Sequence, residues 1–465
     1  MLTGLVEFNG KTCVFKLHKE SFTLEIEDIE EREKLPFLGV AFGFNKESKV
    51  ELHKADTLIA KDFERDKKIH FHIRDIYKSA PKTYIATLKS YLVFDGVDSS
   101  FDSLQIQADE LNWFHNISLA FDRYNYSEEG DGQLHLKPFD KTTEEFEFNL
   151  ENKLIRGNLS IRREVTKIST SPLSLNSNLN YYFENTTDIS LANDLVSLTR
   201  HLLEFLSYRK NSKINRLILK KKVGDLYYFM GDLYVNYIQP EEKEEEKIMR
   251  ERIISYPLLG SSFTKLLEKI SMKEVYLRHI PENYRAKNTI TPARFVMATA
   301  GFEWQFEISH KVKSEENKQK YEKERNEVLE FLQGKFEEAT GKKEKKFFDS
   351  SRRFFEKNQS QLAANIIWAL KESDEVLKDF IESAYSMNGI ESKDFKRNVI
   401  AERIQKDRNT FAHGNLSTEF NKLIDIDLSV LEWLYYAMVL EDIGVSKENA
   451  KKCINDLFQR GYNYR

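Results

Sequence analysis

The period of the apolar residues changes near residue 240, and that change limits the folds open to this chain more than any motif does. Before it, short segments at 12–17, 21–26, 82–88 and 144–150 alternate apolar with polar residues. A period of two marks strands with one buried face. Turn signals at 94–96 and 129–132 separate such segments at the spacing of antiparallel sandwiches or barrels. One stretch breaks the rhythm: Leu191, Leu195, Leu198, Leu202, Phe205 and Leu206 predict a helix over 188–206 that packs on the sheet. Strand-like sequence returns at 216–219 and 225–229.

Beyond 240 the apolar residues recur every three or four positions. Phe295, Ala298, Phe302 and Phe306 form one such set, as do Val328, Leu329, Leu332 and Phe336, then Leu362, Ile366 and Leu370. Leu377, Phe380, Ile381 and Ala384 follow, and then Leu428, Leu431, Leu434, Tyr435 and Met438. This is the pattern of a helical bundle. The almost wholly polar stretch 311–327 reads as an exposed extension of a helix. The expected fold class is therefore α+β. An antiparallel β-rich, sandwich-like module spans 1–240 with one packed helix near 188–206, a charged linker spans 241–255, and an all-α bundle spans 256–465.

With 465 residues, more than one core is expected, because single cores stop growing beyond roughly 250–300 residues. The 71 Lys and Arg nearly cancel the 75 Asp and Glu, so no global basic field draws the chain onto nucleic acid. Contact with RNA must then use a local basic patch, since exposed charges act over a Debye length of roughly 8–10 Å. The two cysteines, Cys13 and Cys453, stand at opposite ends of the chain, which argues against a disulfide framework or a zinc ribbon. No basic segment followed by an apolar run opens the sequence, and no stretch approaches about 18 consecutive apolar residues. The expectation is a soluble, cytoplasmic protein with no membrane partner and no cofactor.

The stretch with chemical content is Arg408-Asn409-Thr410-Phe411-Ala412-His413-Gly414, on a helix predicted over 394–413. Val399, Ile400, Ile404 and Phe411 supply its apolar stripe, and Gly414 is the expected C-cap. His413 then falls in the last helical turn, where the carbonyl end favours a protonated imidazole by about 0.3–2 kcal/mol while Arg408 opposes it. Such a histidine can exchange protons with a ribose 2′-hydroxyl or a leaving 5′-oxygen. Arg408 offers fixed, always-charged donors to phosphate oxygens, and Asn409 can orient the imidazole or the phosphate through its amide. RNA carries its own nucleophile, so this chemistry needs no metal. Arg and His five positions apart lie about 140° apart on a helix, so a site built from both is more natural in a cleft between two copies.

Arg408-Asn409-Thr410-Phe411-Ala412-His413 resembles the signature of the HEPN superfamily: Arg, a polar residue, a few more residues, then His at the end of a bundle helix. The resemblance implies a homodimeric ribonuclease with a composite, metal-independent site at Arg408, Asn409 and His413, leaving a cyclic phosphate and a 5′-hydroxyl. The layout of a β-rich half followed by such a bundle is similar to the ApeA family of anti-phage proteins. That likeness implies cleavage of RNA, tRNA in particular, that halts translation in abortive infection, and a phage-derived trigger sensed by the β-rich half. The alternative is a non-catalytic HEPN-containing binding protein whose β module recognises a ligand or a phage component. Glu303, on an early helix of the bundle, is the candidate for orienting the motif.

Other features have plainer readings. Arg65 and His70 repeat the Arg-to-His spacing, but on a charged turn running into a strand. His70 and His72 alternate on that strand and are expected to be solvated polar positions rather than metal ligands. The basic run 342–346 with Arg352 and Arg353 either tracks RNA phosphates or forms a solvated face. Lys220, Lys221 and Lys222 are expected in a solvated turn. The absence of phosphate-loop, nucleophile-elbow and His-Glu-x-x-His motifs removes the usual sequence support for nucleotide hydrolysis, serine esterase chemistry and zinc proteolysis.

Overall fold

A computed structural model describes residues 1–28, 57–64, 67–95, 99–126, 132–165, 173–237, 243–357, 361–391, 395–412 and 420–461. Among the motif and turn residues singled out above, 65–66, 96, 129–131, 241–242 and 413–415 lie outside them. The chain divides into two compact units. The first comprises Met1–Arg200 and Ser212–Lys243, the second His201–Asn211 and Glu244–Arg465. The expected linker, 241–255, holds a short helix and buries Met249, Ile253 and Ile254.

The first unit is antiparallel throughout its main sheet. Strands β1 (Leu2–Phe8), β2 (Lys11–His18), β3 (Thr23–Asp28), β4 (Thr57–Asp62), β5 (Lys68–Ala80) and β6 (Thr83–Phe94) pair in the order β6-β3-β2-β1-β4-β5. Because β5 pairs with β6 as well as with β4, the ring closes into a barrel. Its inward residues alternate with outward ones, and Val6, Phe15, Leu17, Leu24, Ile26, Ile69, Phe71 and Leu88 fill it. Closure brings β1 very near β4: a Cβ on Gly4 would stand 2.0 Å from the Lys61 carbonyl oxygen. Register shifts between His72 and Asp75 bend β5, as barrel closure demands.

The far end of β6 pairs with β5 on one side and on the other carries an open wing. There β7 (Phe101–Ala108), β10 (Thr143–Leu150), β11 (Lys153–Val165), β12 (Leu173–Thr186), β13 (Ile214–Val223) and β14 (Leu226–Val235) follow in the order β14-β13-β7-β12-β11-β10. A separate hairpin pairs β8 (Phe121–Tyr126) with β9 (Gly132–Leu136), and a single helical turn, α1 (Leu111–Phe114), lies beside β12. The expected sandwich is thus corrected to one twelve-stranded sheet curled into a barrel at one end, among the described residues. Alternation reports a buried face but not its cover. Here the cover is the barrel's own closure and α2 (Ile189–Ser207): Thr199 meets the Tyr181 hydroxyl of the wing at 3.0 Å, and Asn193 reaches Ser90 and His72 of the barrel.

Two lysine and histidine readings change with the fold. Lys220–222 belong to β13 rather than to a turn; the turn is at Gly224, with φ +64°. Lys220 is half-buried, and burial lowers its pKa. His70 and His72 are buried, because β5 is covered on both faces where it enters the barrel, so the expected solvated strand polarity is wrong there. Burial, then the charge of Lys68, pulls the His70 pKa to about 4.

The second unit is helical. Before its bundle lie α3 (Glu246–Glu251), α4 (Tyr256–Leu259), α5 (Ser262–Ser271) and α6 (Tyr284–Asn288). The bundle consists of α7 (Pro292–Ser309), α8 (Lys311–Glu338), α9 (Lys342–Lys357), α10 (Leu362–Glu372), α11 (Asp374–Met387), α12 (Arg397–Ala412), α13 (Ile424–Asp442) and α14 (Lys447–Phe458). Helix α13 is apolar on nearly every side and is buried almost all round, with α7, α10, α11 and α14 against it. Helix α8 is polar from its start, as expected, but its apolar set buries only Leu332, because its main partner is α9.

Candidate active site

Helix α12 carries Arg408 and Asn409 and is fixed from three directions. Ile400, Ala401, Ile404 and Phe411 are its buried residues, and Phe411 packs edge-on between Phe295 of α7 and Phe420. The Gln405 side-chain oxygen accepts the Ala363 backbone N–H at 3.0 Å, supplying a partner to an amide of the first turn of α10. The strongest tie is ionic. Arg403 donates from Nε to Asp427 Oδ2 and from Nη2 to Oδ1, both at 2.6 Å, and Tyr385 donates to the same carboxylate at 2.5 Å. Arg403 Nη2 also donates to the Tyr385 hydroxyl at 2.7 Å. Asp427 is fully buried, so this network joins α11, α12 and α13 through an internal charge pair.

The same packing brings α7 beside α12, and with it Glu303 beside Arg408. Arg408 Nη2 stands 3.5 Å from Glu303 Oε2, and each side chain is about one-third exposed, at 33% and 32%. Arg408 Nη1 also donates to Asn409 Oδ1 at 3.2 Å. A guanidinium has five N–H donors, so the side chain keeps further donors for a ligand. Burial raises the Glu303 pKa above the ordinary carboxylate value, and the neighbouring Arg408 partly offsets it by charge and hydrogen bonding. Asp407, the carboxylate adjacent in sequence, instead accepts from Asn421 at 3.5 Å, so Glu303 is the acid that pairs with Arg408.

The fold thus brings Arg408, Asn409 and Glu303 together near the C-terminal end of α12. His413 follows directly on the last described residue of that helix and lies outside the described residues. Among the described residues, no group of three His, Cys, Asp or Glu side chains could hold a metal. Arg352 and Arg353 of the basic run on α9 pair with Asp349 and, for Arg352, Glu356 of the same helix. Sequence reasoning missed Arg403, Asp427 and Tyr385. The available signal was an acid among the closely spaced apolar residues of α13, since a buried carboxylate requires a cation or several donors. Glu432, on the same helix, is answered likewise by Arg294.

No helix among the described residues is long and apolar enough to cross a membrane. Comparison with protein families, curated proteins and solved structures found no match.

Proposed function

We propose that the helical unit is a HEPN-type endoribonuclease that cleaves RNA, tRNA in particular, by attack of the ribose 2′-hydroxyl on the adjacent phosphate. The observation that carries this reading is the Arg408–Glu303 pair near the C-terminal end of α12, with His413 following Arg408 five residues on in the sequence. The 2′-oxygen forms a bond to phosphorus while the bond to the 5′-oxygen breaks, leaving a cyclic phosphate and a 5′-hydroxyl. His413 exchanges the protons, Arg408 donates to the phosphorane oxygens, and Asn409 orients one or the other. Glu303 acts as a positioning residue by holding the guanidinium. A homodimer supplies the composite cleft, and the β-rich unit responds to a phage component, which makes the protein an anti-phage effector causing abortive infection.

A second reading draws on the same geometry: Arg408 already has protein partners in Glu303 and Asn409, as it would in a non-catalytic HEPN-containing protein that binds through its β-rich unit. Expression in bacteria separates the two. Wild type should protect against at least some of a broad phage panel and fragment tRNA during infection, and Arg408→Ala/His413→Ala should do neither while accumulating as folded protein. Protection that survives the double substitution supports the binding protein and defeats the nuclease.

A further inference from the structure

The second unit holds a cleft of about 560 Å³ between the segment 278–289 and the start of α7. That volume lies within the roughly 300–1,000 Å³ of small-molecule sites. Four cations line it: Lys210, Arg278, Arg285 and Arg294. Lys210 is satisfied by Glu282 at 2.8 Å, and Arg294 by the buried Glu432. Arg278 and Arg285 have exposed side chains, and among the described residues no carboxylate pairs with either. The cleft therefore carries two uncompensated positive charges. It also meets the N-terminus of α7, an 18-residue helix with no acidic residue in its first turn, capped by the Thr291 hydroxyl, which accepts the Arg294 backbone N–H at 3.1 Å. The positive end of that helix adds to the field.

His279 lines the cleft and is only 5% exposed, yet neither ring nitrogen makes a hydrogen bond of good geometry within the protein. The Tyr276 backbone is near enough to favour its proton, but burial, then the charge of Lys210, drives the pKa down to about 3. The ring is wedged against Tyr435, with centroids 4.2 Å apart, and against Gly301. Both ring nitrogens are closed to solvent, so the imidazole offers an occupant aromatic surface and no hydrogen bond. Ile280, Pro281 and Met297 add an apolar wall that a bare inorganic ion would not use.

We infer that this cleft binds a nucleotide-sized phosphorylated small molecule, its phosphate held by Arg278 and Arg285 at the α7 N-terminus and its organic body lying along His279 and the apolar wall. The site is separate from Arg408 and Glu303, and the inference does not depend on the ribonuclease reading.

The test is calorimetric titration of the full chain with AMP, GMP, inorganic phosphate, adenosine and a short RNA oligonucleotide. The probes meet wild type, Arg278→Glu/Arg285→Glu and the milder Arg278→Gln/Arg285→Gln. Both replaced side chains are exposed, so the variants should fold, with circular dichroism as the check. A nucleoside monophosphate should bind wild type at least tenfold more tightly than adenosine or phosphate, and should weaken at least tenfold in both variants. No nucleotide binding by wild type, or equal binding by wild type and variants, would overturn the inference. So would phosphate binding as tightly as nucleotide, or a charge-dependent preference for the oligonucleotide, which would make the cleft an RNA track.

Discussion

Replacing Arg403 with Met should destabilise the helical unit more than any surface ion-pair substitution, because Asp427 would be left charged and fully buried with, among the described residues, Tyr385 alone to answer it. Breaking a buried pair in this way costs about 3–5 kcal/mol, against roughly 0–1 kcal/mol for an exposed one. For a unit of this size each kcal/mol shifts the melting temperature by roughly 2–4 °C, so the expected fall is about 6–20 °C. The sign with pH follows from the causes of the Asp427 shift. Burial raises its pKa, and Arg403, the largest opposing influence, lowers it by hydrogen bonding and charge. Without Arg403 the carboxyl rises further, and an acid raised in the fold favours the native state below its unfolded value and loses that stability as pH climbs through the folded one. The penalty of Arg403→Met should therefore shrink on acidification. Arg403→Met/Asp427→Leu removes both charges and should recover most of the loss. Thermal melts give the fall in midpoint, and urea melts followed by circular dichroism at pH 7 and pH 4.5 give the free energies. A loss below about 1 kcal/mol at pH 7 for Arg403→Met, or a double variant no better than the single, would refute a central ionic tie.

Three further outcomes are expected. Glu303→Gln should lower kcat for RNA about tenfold, or ~1.4 kcal/mol, with KM little changed, and Glu303→Asp should partly restore it; a rise in KM alone would place Glu303 in substrate binding instead. His70 titrates near pH 4 in the fold against an ordinary 6.5, mainly through burial, so the unfolded chain takes its proton first and stability drains as pH falls from 6.5 to 4. Urea melts of His70→Phe should show a shallower loss over that window than wild type, and an unchanged slope would contradict the buried neutral ring. Gly301→Ala would set a Cβ 2.4 Å from the His279 ring and should cost roughly 1–3 kcal/mol, seen as a lower thermal midpoint.

Elements whose burial follows one clean period were legible in the sequence. The segments 12–17 and 144–150 lie within strands, 21–26 and 82–88 begin one or two residues ahead of theirs, and the helix predicted over 188–206 is α2, because one buried face writes itself into the order of apolar residues. What that order cannot record is the cover of the face, so the barrel closure through β5 and β6 was read as a sandwich. Burial on both faces of β5 likewise hid His70 and His72 among residues that looked solvated. At the candidate site, Glu303 and Arg408 were each visible, but their approach depends on α7 and α12 packing side by side across a sequence gap of about a hundred residues, which no local pattern encodes. The Arg403–Asp427–Tyr385 network was missed for the same reason: its three members come from three helices.

The most direct test of the nuclease is incubation of total bacterial RNA with purified wild type, Arg408→Ala and His413→Ala in EDTA, with the product ends identified. The reading expects wild type to release fragments bearing cyclic phosphates and 5′-hydroxyls, and both variants to leave the RNA intact. Equal cleavage by wild type and His413→Ala, or fragments with 5′-phosphate ends, would contradict it.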